Sequence, residues 1–373
     1  MNVEGYVLDY INKIEEQGYD AYIVGKSVFL YMLGRPIEEY DIITSAPLFS
    51  LSKDQIESGN SVHILEHKKG IHISFFTSKE SFYKNCCYKI DTLLYHHKHG
   101  LIDEKHGLDD LERKRITIFN PNVLSGNPLF LLEAIFYQAQ YSFTLEKKLI
   151  TYIASYQDKF QQAKKDELGK YFQAFLCLES PGKFFMKYKN IFSQFFQVDD
   201  FRMKVLDCTK NDLTFRLVAL WEKEDIFLAE KFLREYGFSK PLRIKVLHIL
   251  DCLELPLSKD NLKDFLSKIQ KEDIGILFSL KRANQCALNQ YSEIPILDDL
   301  EKECYSLWEK NRNVSIENLK IKEEDLENLG YLKTQISKVL DYLLILVQRK
   351  QIENSYDKLI DVASTLLEKN DEI

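Results

Sequence analysis

The stretch "YIVGKSVFLYMLGRPIEEYDIITSA" (residues 22–46) has the pattern of a phosphate-handling α/β unit. A buried-type strand pattern ends at Gly25, a short helical stretch follows, and a second strand-like segment carries acidic residues. The turn after Gly25 would let backbone amides approach a phosphate group. The N-terminus of the following helix would add positive potential there. We therefore predict that this segment forms the phosphate-handling part of an α/β domain.

A pair of acidic residues marks the second strand of this unit. Glu39 and Asp41 are two positions apart, so on an extended chain their side chains project to the same face. Two such carboxylates can hold one or two Mg²⁺ ions, which would bridge a triphosphate and activate an attacking hydroxyl. An acid-x-acid pair before a strand is more often an ordinary solvated turn, so the pair alone does not define a site.

Length and composition indicate a soluble globular protein. The chain has 373 residues, of which 45% are hydrophobic and 29% charged, and this length suffices for two to four compact units. No apolar run reaches the roughly 18 residues of a membrane span, and the acidic, amphipathic N-terminus lacks the pattern of a signal peptide. The seven cysteines form no C-x-x-C pair, which predicts reduced, mostly buried thiols in a cytoplasmic protein.

The net charge of −7 is unevenly distributed along the chain. Residues 146–250 carry 19 basic and 14 acidic side chains, whereas the segments on either side of it are acidic. A nucleic-acid-binding protein needs a basic surface somewhere, and this middle segment is the candidate. Ordinary variation among solvated helices explains the same charge distribution equally well.

The pattern of apolar residues changes once along the chain. The first 120 or so residues predict an α/β region with a small sheet, and long amphipathic helices follow from "NPNVLSGNP" (120–128) to the end. The predicted elements of the first region are a helix over 3–17, a strand over 21–25, a helix over 28–33, a strand over 40–44, a hairpin of 61–67 with 71–77, and a strand-turn-strand unit within 90–116.

Four segments together resemble one known family. Residues 22–46 resemble V-G-G-x-V-R-D-x-L-L-G-R-x-x-x-D-x-D-I-x-T-S-A, the head motif of class II tRNA nucleotidyltransferases (CCA-adding enzymes) and bacterial poly(A) polymerases. Residues 90–116 resemble its strand-turn segment N-A-L-A-Y…G-x-I-D-P-x-G-G-x-x-D-L. Residues 127–146 resemble its neck helix, E-D-P-L-R-x-x-R-A-x-R-F-A, and residues 321–363 resemble its tail signature. The four matches occur in the family's order over nearly the whole chain.

The resemblance implies an α+β protein. It predicts a small nucleotidyltransferase-type α/β head, followed by an elongated, all-helical neck, body and tail along which tRNA is grasped. We expect the head in residues 1–119, the neck in 120–180, the body in 181–292 and the tail in 293–373.

Carried over position by position, the resemblance assigns metal and nucleotide roles to changed residues. Glu39 and Asp41 take the two Mg²⁺ positions, with Glu39 in place of an aspartate. Gly25 keeps the first glycine of the motif, whereas Lys26 stands at the second. The extra methylene of Glu39 moves its carboxylate by about 1.5 Å, and catalysis by positioning tolerates such shifts badly.

The side chains that would contact the nucleotide are also replaced. Phe29 and Leu30 stand at an arginine and an aspartate of the head motif, and Asp91 stands at an asparagine of the segment that serves sugar and phosphates. Asn127 and Phe130 replace the aspartate and the arginine that select the base. Such replacements remove on the order of several kcal/mol of charge-assisted hydrogen bonding. Phe and Leu in the cleft would favour a packed core.

Further departures point the same way, with one possible compensation. The family's R-x-x-x-E pattern falls on Ala163 and Glu167, and only residues 78–84 occupy a region where family members usually carry a longer loop and a helix. Lys26 and Lys84 could supply cations in place of the lost arginines, because lysine is a usable point-charge ligand for phosphate.

Three functions follow from these residues. The first is a cytoplasmic protein that binds tRNA or another structured RNA and has a degraded nucleotide-addition site, that is, a pseudoenzyme. The second is an active CCA- or A-adding nucleotidyltransferase that uses Glu39, Asp41 and Mg²⁺ with ATP or CTP as substrates. The third is a scaffold that binds a protein partner. A protein partner or a homo-oligomer is compatible with each of them.

The histidines are clustered. Seven of the eight fall in one region of the chain, at positions 63, 67, 72, 96, 97, 99 and 106. His97 and His99 are two apart, and His63 and His72 fall on neighbouring strands of the predicted hairpin. This spacing matches no standard zinc pattern, so we expect exposed turn histidines.

Overall fold

A computed structural model describes the chain in nine segments. They are residues 1, 3–47, 56–57, 61–66, 69–76, 78–222, 224–311, 316–348 and 351–370. Two compact units divide them: residues 1–178 with 190–196, and residues 179–189 with 197–373. Within the described part of the chain, no helix is long and apolar enough to span a membrane.

A mixed sheet forms the centre of the first unit. In the described residues it has seven strands, in the order β3-β4-β5-β2-β1-β6-β7. Their bounds are β1 (Ala21–Val24), β2 (Glu39–Thr44), β3 (Ile56–Glu57), β4 (Ser61–Glu66), β5 (Lys69–Phe75), β6 (Leu94–His96) and β7 (Gly100–Ile102). Strands β2 and β5 are parallel, and the other neighbours are antiparallel. The hairpin predicted for 61–77 is formed by β4 and β5.

Short helices surround this sheet. They are α1 (Gly5–Glu16), α2 (Lys26–Met32), α3 (Lys79–Tyr83) and α4 (Gly107–Glu112). Helix α1 buries Val7, Ile11 and Ile14, which recur at helical spacing. Helix α2 begins directly after Gly25, whose φ of 55° is a left-handed value that glycine adopts without the steric cost of a Cβ.

The remainder of the first unit is helical. Its helices are α5 (Pro121–Gly126), α6 (Leu129–Tyr141), α7 (Lys147–Tyr156) and α8 (Lys165–Leu176). A two-stranded parallel sheet of β8 (Arg115–Ile116) and β9 (Thr144–Leu145) joins the end of the head to the end of α6. Helix α6 lies within the predicted neck (120–180), and several of its residues line the cleft described below.

The second unit is entirely helical in the described residues, and two apolar clusters stabilise it. Its helices are α9 (Pro181–Lys187), α10 (Lys189–Phe192, shared with the first unit), α11 (Asp200–Cys208), α12 (Leu213–Trp221), α13 (Ile226–Glu235), α14 (Lys240–Leu253), α15 (Leu262–Lys268), α16 (Lys271–Ala287), α17 (Ile294–Asn311), α18 (Glu323–Leu329), α19 (Lys333–Gln348) and α20 (Tyr356–Asn370). One cluster includes Phe265, Leu277 and Cys304. The other, in the predicted tail, includes Leu326 and Leu343.

The predicted fold class is confirmed: in the described residues, an α/β head precedes helical regions that extend to Asn370. The division at 119, 180 and 292 stays a prediction. All seven cysteines are free, and four of them, Cys86, Cys87, Cys252 and Cys304, are buried.

Candidate nucleotide site

The turn between β1 and α2 connects the head motif to the segment around Asp91. The Gly25 amide donates a hydrogen bond to the Leu93 carbonyl oxygen at 3.1 Å. A Cβ at Gly25 would lie 3.8 Å from the Asp91 carbonyl oxygen. The backbone of Gly25 therefore lies against the 3₁₀ turn Lys89–Thr92, and this contact brings two separated parts of the sequence to one cleft.

The two predicted metal ligands lie on the open face of β2. Glu39 is exposed, Tyr40 is buried and Asp41 is partly buried, so the carboxylates alternate with a core residue as predicted. The Ser27 hydroxyl accepts from the Asp41 amide at 2.7 Å and donates to the Glu39 carbonyl oxygen at 3.2 Å. These two bonds hold the backbone of both residues against the first turn of α2.

Burial and nearby negative charge affect two carboxyl groups of the cleft, those of Asp91 and Glu133. Burial raises the pKa of Asp91, and the negative charges of Glu133 and Asp41 raise it further, against the opposing effect of the Tyr88 and Cys87 amides. Burial also raises the pKa of Glu133, with Asp41 adding to the effect. The Tyr137 hydroxyl, which donates to Glu133 Oε1 at 2.7 Å, acts in the opposite direction, as does Lys26.

The apolar replacements occupy two different environments. Phe29 has no exposed surface, and its ring meets those of Tyr137 and Tyr141 edge-on, with centroids 5.1 and 6.0 Å apart. Leu30 is also buried. Phe130 is only partly buried, and its carbonyl oxygen accepts from the Tyr88 hydroxyl at 2.5 Å. Phe29 and Leu30 therefore belong to the core, as expected, whereas Phe130 does not fill the cleft.

A cavity of about 350 Å³ remains beside these residues. It is lined by side chains of the first unit: Lys26, Asn127, Leu129, Phe130, Glu133, Phe136, Tyr137, Glu167, Lys170, Tyr171 and Ala174. Four of the lining residues are aromatic, two are acidic and two are basic. The cleft is therefore neither fully packed nor the open polar site that templated nucleotide addition would use.

The structure brings some of the predicted site residues together and separates others. Lys26 and Asn127 line the cavity, and Asp91 interacts electrostatically with Glu133 at its wall. Gly25 and Glu39 do not line it. Lys84 is exposed and is not part of the cavity wall either.

Residues 78–84 were expected to form only a short connection, where family members usually carry a longer loop and a helix. They nevertheless form the five-residue helix α3. Its N-cap is Ser78, whose hydroxyl accepts from the Ser81 amide at 3.2 Å.

The sequence alone did not identify Glu133, Tyr137 and Tyr171 as cleft residues. A signal was present for Glu133, because it falls on the second arginine of the neck-helix pattern E-D-P-L-R-x-x-R. An acid in place of a cation reverses the local charge. The tyrosines carried no comparable signal, since aromatic residues at helical spacing are usually core residues.

Sequence comparison relates part of the chain to CCA-adding enzymes. No protein-family model matches the sequence. The chain is 30% identical over 133 residues to the CCA-adding enzyme of Streptococcus pyogenes serotype M2, an alignment that covers 29% of this chain and 33% of that enzyme. It is 28% identical over 162 residues to the enzyme of Lacticaseibacillus paracasei, covering 36% and 41%. The chain thus matches well under half of the length of these relatives.

Comparison of structures extends the likeness to nearly the whole chain. The CCA-adding enzyme of Bacillus stearothermophilus, solved in complex with CTP, superimposes with a TM-score of 0.66 at 15% identity and covers 98% of both chains. The CCA-adding enzyme of Thermotoga maritima, solved with tRNA, gives a TM-score of 0.57 at 16% identity over 98% of this chain and 96% of that one. At these identities the likeness concerns the fold.

The chain is thus similar in sequence to CCA-adding enzymes over part of its length, and similar to them in fold over nearly all of it.

Proposed function

We propose that this protein binds tRNA or another structured RNA and does not perform templated nucleotide addition. The observation that supports this proposal best is the environment of Phe29. Its position in the family motif is that of an arginine that contacts the triphosphate, and its ring is packed without exposure against Tyr137 and Tyr141. An apolar residue in this environment cannot provide the cation that the triphosphate needs.

The charge of the cleft supports the same proposal. A triphosphate carries about −4, and its binding depends on cations and amide groups. Burial and the negative charges of Glu133 and Asp41 instead raise the pKa of Asp91, and burial and Asp41 raise the pKa of Glu133, so negative charge in the cleft is incompletely compensated. Lys26 offsets this effect at Glu133. ATP or CTP would therefore meet a repulsive field over much of the cleft.

RNA binding is proposed on different grounds. A solved relative is described as complexed with tRNA, and residues 146–250 carry an excess of basic side chains. Phosphate contacts need such an excess. The free and mostly buried thiols are compatible with a cytoplasmic location, which we include in the proposal.

An active nucleotidyltransferase is the second candidate, and two observations favour it. A cavity of about 350 Å³ persists in the cleft. Glu39 and Asp41 also offer carboxylates on one face, the donors that Mg²⁺ prefers, and waters and phosphate oxygens would complete its coordination. When bound, Mg²⁺ would supply charge neutralisation for a triphosphate and activation of an attacking hydroxyl. Within the described residues, however, these two acids belong to no group of three potential ligands within 4.8 Å.

The test combines an extension assay with a mobility-shift assay. Purified protein, Mg²⁺ and labelled ATP or CTP are incubated with tRNA that lacks its 3′ CCA, alongside the double variant Glu39→Ala/Asp41→Ala. We expect a mobility shift of the tRNA without extension. Extension that disappears in the double variant would overturn the proposal in favour of the active enzyme. Neither shift nor extension would exclude both and favour a protein-binding scaffold.

A further inference from the structure

A group of potential metal ligands lies at the sheet edge, away from the nucleotide cleft. Glu15 comes from the last turn of α1, His96 from the end of β6, and His97 from the turn that joins β6 to β7. Their ligand atoms lie within 4.8 Å of one another. The expectation of exposed turn histidines is wrong for this pair, because the side chains of His96 and His97 are only 9% and 15% exposed.

The other histidines of the cluster do not form part of this group. His99 and His106 are exposed, although the His99 ring lies 4.5 Å from that of His96, centroid to centroid. The backbones of His63 and His72 are paired between β4 and β5. Their side chains, and all of His67, lie outside the described part of the chain.

The geometry of the three residues suits a tetrahedral ion. Glu15 Oε1 lies 3.2 Å from His96 Nε2 and 3.3 Å from His97 Nδ1. Ligands bound at 2.0–2.1 Å to a tetrahedral zinc ion are separated by about 3.3 Å. Both measured distances therefore correspond to edges of such a tetrahedron.

Two of these atoms lack the hydrogen bonds that buried polar atoms normally make. Glu15 Oε1 and His97 Nδ1 are inaccessible to solvent and have no hydrogen-bond partner among the described residues, although they face each other. Buried polar atoms without partners cost about 1–3 kcal/mol each, and a bound ion is one arrangement that would satisfy them.

We propose that Glu15, His96 and His97 form a zinc site that joins helix α1 to the β6–β7 hairpin. Imidazole and carboxylate groups suit Zn²⁺, and water from the exposed turn would take the fourth position. Lys98 also forms a short ion pair with Glu15 Oε2, so the second carboxylate oxygen is held by a cation while the first is left for the metal. We infer a structural role, because the site joins two elements of the fold and shares no residue with the nucleotide cavity.

Zinc binding requires one local rearrangement. The Lys98 amide donates to His96 Nδ1 at 3.1 Å, so the proton of the neutral metal-free imidazole is on Nε2. Coordination through Nε2 moves this proton to Nδ1, and the Lys98 amide must turn away from it. Lys98 and His99 are exposed turn residues, so the amide can reorient into solvent. Reorientation of the Lys98 amide is therefore a second observable consequence of metal binding, besides the affinity.

The experiment is a zinc titration of the full chain after removal of metal by a chelator. Affinity is measured by competition with a fluorescent zinc indicator in the wild type, Glu15→Gln, His97→Asn and the matched control His106→Asn, which changes an exposed histidine. We expect one equivalent to bind to the wild type and the control, and affinity to fall by about 100-fold or more in the two ligand variants. Equal affinity in all four proteins, or no saturable uptake by the wild type at micromolar zinc, would overturn the proposal.

Two further readouts separate loss of the site from loss of the fold. Circular dichroism of each metal-free variant verifies that it is folded, and zinc should raise the melting temperature of the wild type and the control only. With ¹⁵N-labelled protein, zinc should shift the Lys98 amide resonance. An unchanged Lys98 resonance at saturating zinc would contradict coordination through His96 Nε2.

Discussion

Two acidic regions of the same head differ in how their carboxylates are held. In the corner formed by α4 and β8, Asp110 is 1% exposed. It accepts hydrogen bonds from Arg115 Nη2 at 2.8 Å, from the Thr117 amide at 3.2 Å and from the Thr117 hydroxyl. In the cleft, Asp91 accepts from the Tyr88 amide at 2.9 Å but faces the negative charges of Glu133 and Asp41. The negative charge of Asp110 is therefore compensated by neighbouring donors, whereas that of Asp91 is opposed by neighbouring negative charges.

Agreement with the family pattern also differs between the two regions. Asp103 and Asp110 match the two aspartates of G-x-I-D-P-x-G-G-x-x-D-L. Asp103 accepts from the amides of Gly107 and Leu108 at 2.7 and 3.0 Å and so holds the first turn of α4. In the cleft, Phe29 and Glu133 depart from the pattern. At these four positions, the chain matches the pattern where the fold uses the side chain and departs from it where nucleotide chemistry would use it.

The largest effect is expected from restoring a cation to the cleft. Phe29→Arg places an unpaired charge in the core and removes the ring contacts with Tyr137 and Tyr141, so the free energy of unfolding should fall by about 4 kcal/mol or more. Phe130→Arg, at the cavity wall, is the control and should cost about 1 kcal/mol. Urea unfolding measures both. If Phe29→Arg were as stable as the wild type and bound ATP, the cleft would still be a nucleotide site.

Exchanging each aspartate for asparagine tests the comparison directly. Asp110→Asn should lower the free energy of unfolding by about 2–4 kcal/mol, because Arg115 loses its charged partner and one amide hydrogen meets a donor. Asp91→Asn should change it by less than about 1 kcal/mol, since the amide oxygen still accepts from Tyr88 and a repulsive charge disappears. Urea unfolding at pH 7 measures both variants. Equal losses would remove the distinction between the two regions.

Much of the fold followed from local pattern. Helix α1 and strands β1 and β2 were predicted to within about two residues of their ends, because apolar spacing and turn residues determine such elements locally. The parallel pairing of β2 with β5 was not predictable in this way. It depends on contacts between residues that are far apart in the sequence, which periodicity does not report.

Residues of the candidate site could be predicted from the sequence only where they fall on a position of the family motif. The burial of Phe29 and Leu30 followed from their apolar character at charged positions of the motif. The coupling of Asp91 with Glu133 did not, because the two residues lie on separate elements and only the packing of α6 brings them together. The zinc ligands were missed for the same reason: Glu15 lies about 80 residues before the histidines, and no spacing rule covers such a distance.

A smaller effect is expected in the pH dependence of the free energy of unfolding, to which the carboxyl groups of the cleft contribute. The folded-state pKa values of Asp91 and Glu133 are raised above the unfolded-state values. At pH values between the unfolded-state and folded-state pKa, the folded chain therefore binds more protons than the unfolded chain. Their contribution therefore stabilises the fold at low pH and is lost as the pH rises through the raised values. Glu133→Gln removes one charge, and at pH 8 it should be about 1 kcal/mol more stable than the wild type.

The difference between wild type and Glu133→Gln should shrink as the pH is lowered towards 4. Urea unfolding at a series of pH values measures it, with Glu146→Gln, outside the cleft, as the control. A difference that stays constant with pH, or that grows on acidification, would contradict uncompensated charge in the cleft.

The smallest effect on stability is expected in the corner formed by α4 and β8. His106 precedes α4 with a φ of 62°, where the family pattern has glycine. A side chain in this left-handed conformation is strained, and β-branched residues are strained most. His106→Gly should raise the free energy of unfolding by about 0.5 kcal/mol, the relief of strain being partly offset by a more flexible unfolded chain. His106→Val should lower it by about 1–2 kcal/mol. If the valine variant were as stable as the glycine variant, backbone strain at position 106 would not affect the free energy of unfolding. The stability of the corner would then depend on the hydrogen bonds of Asp103 and Asp110 alone.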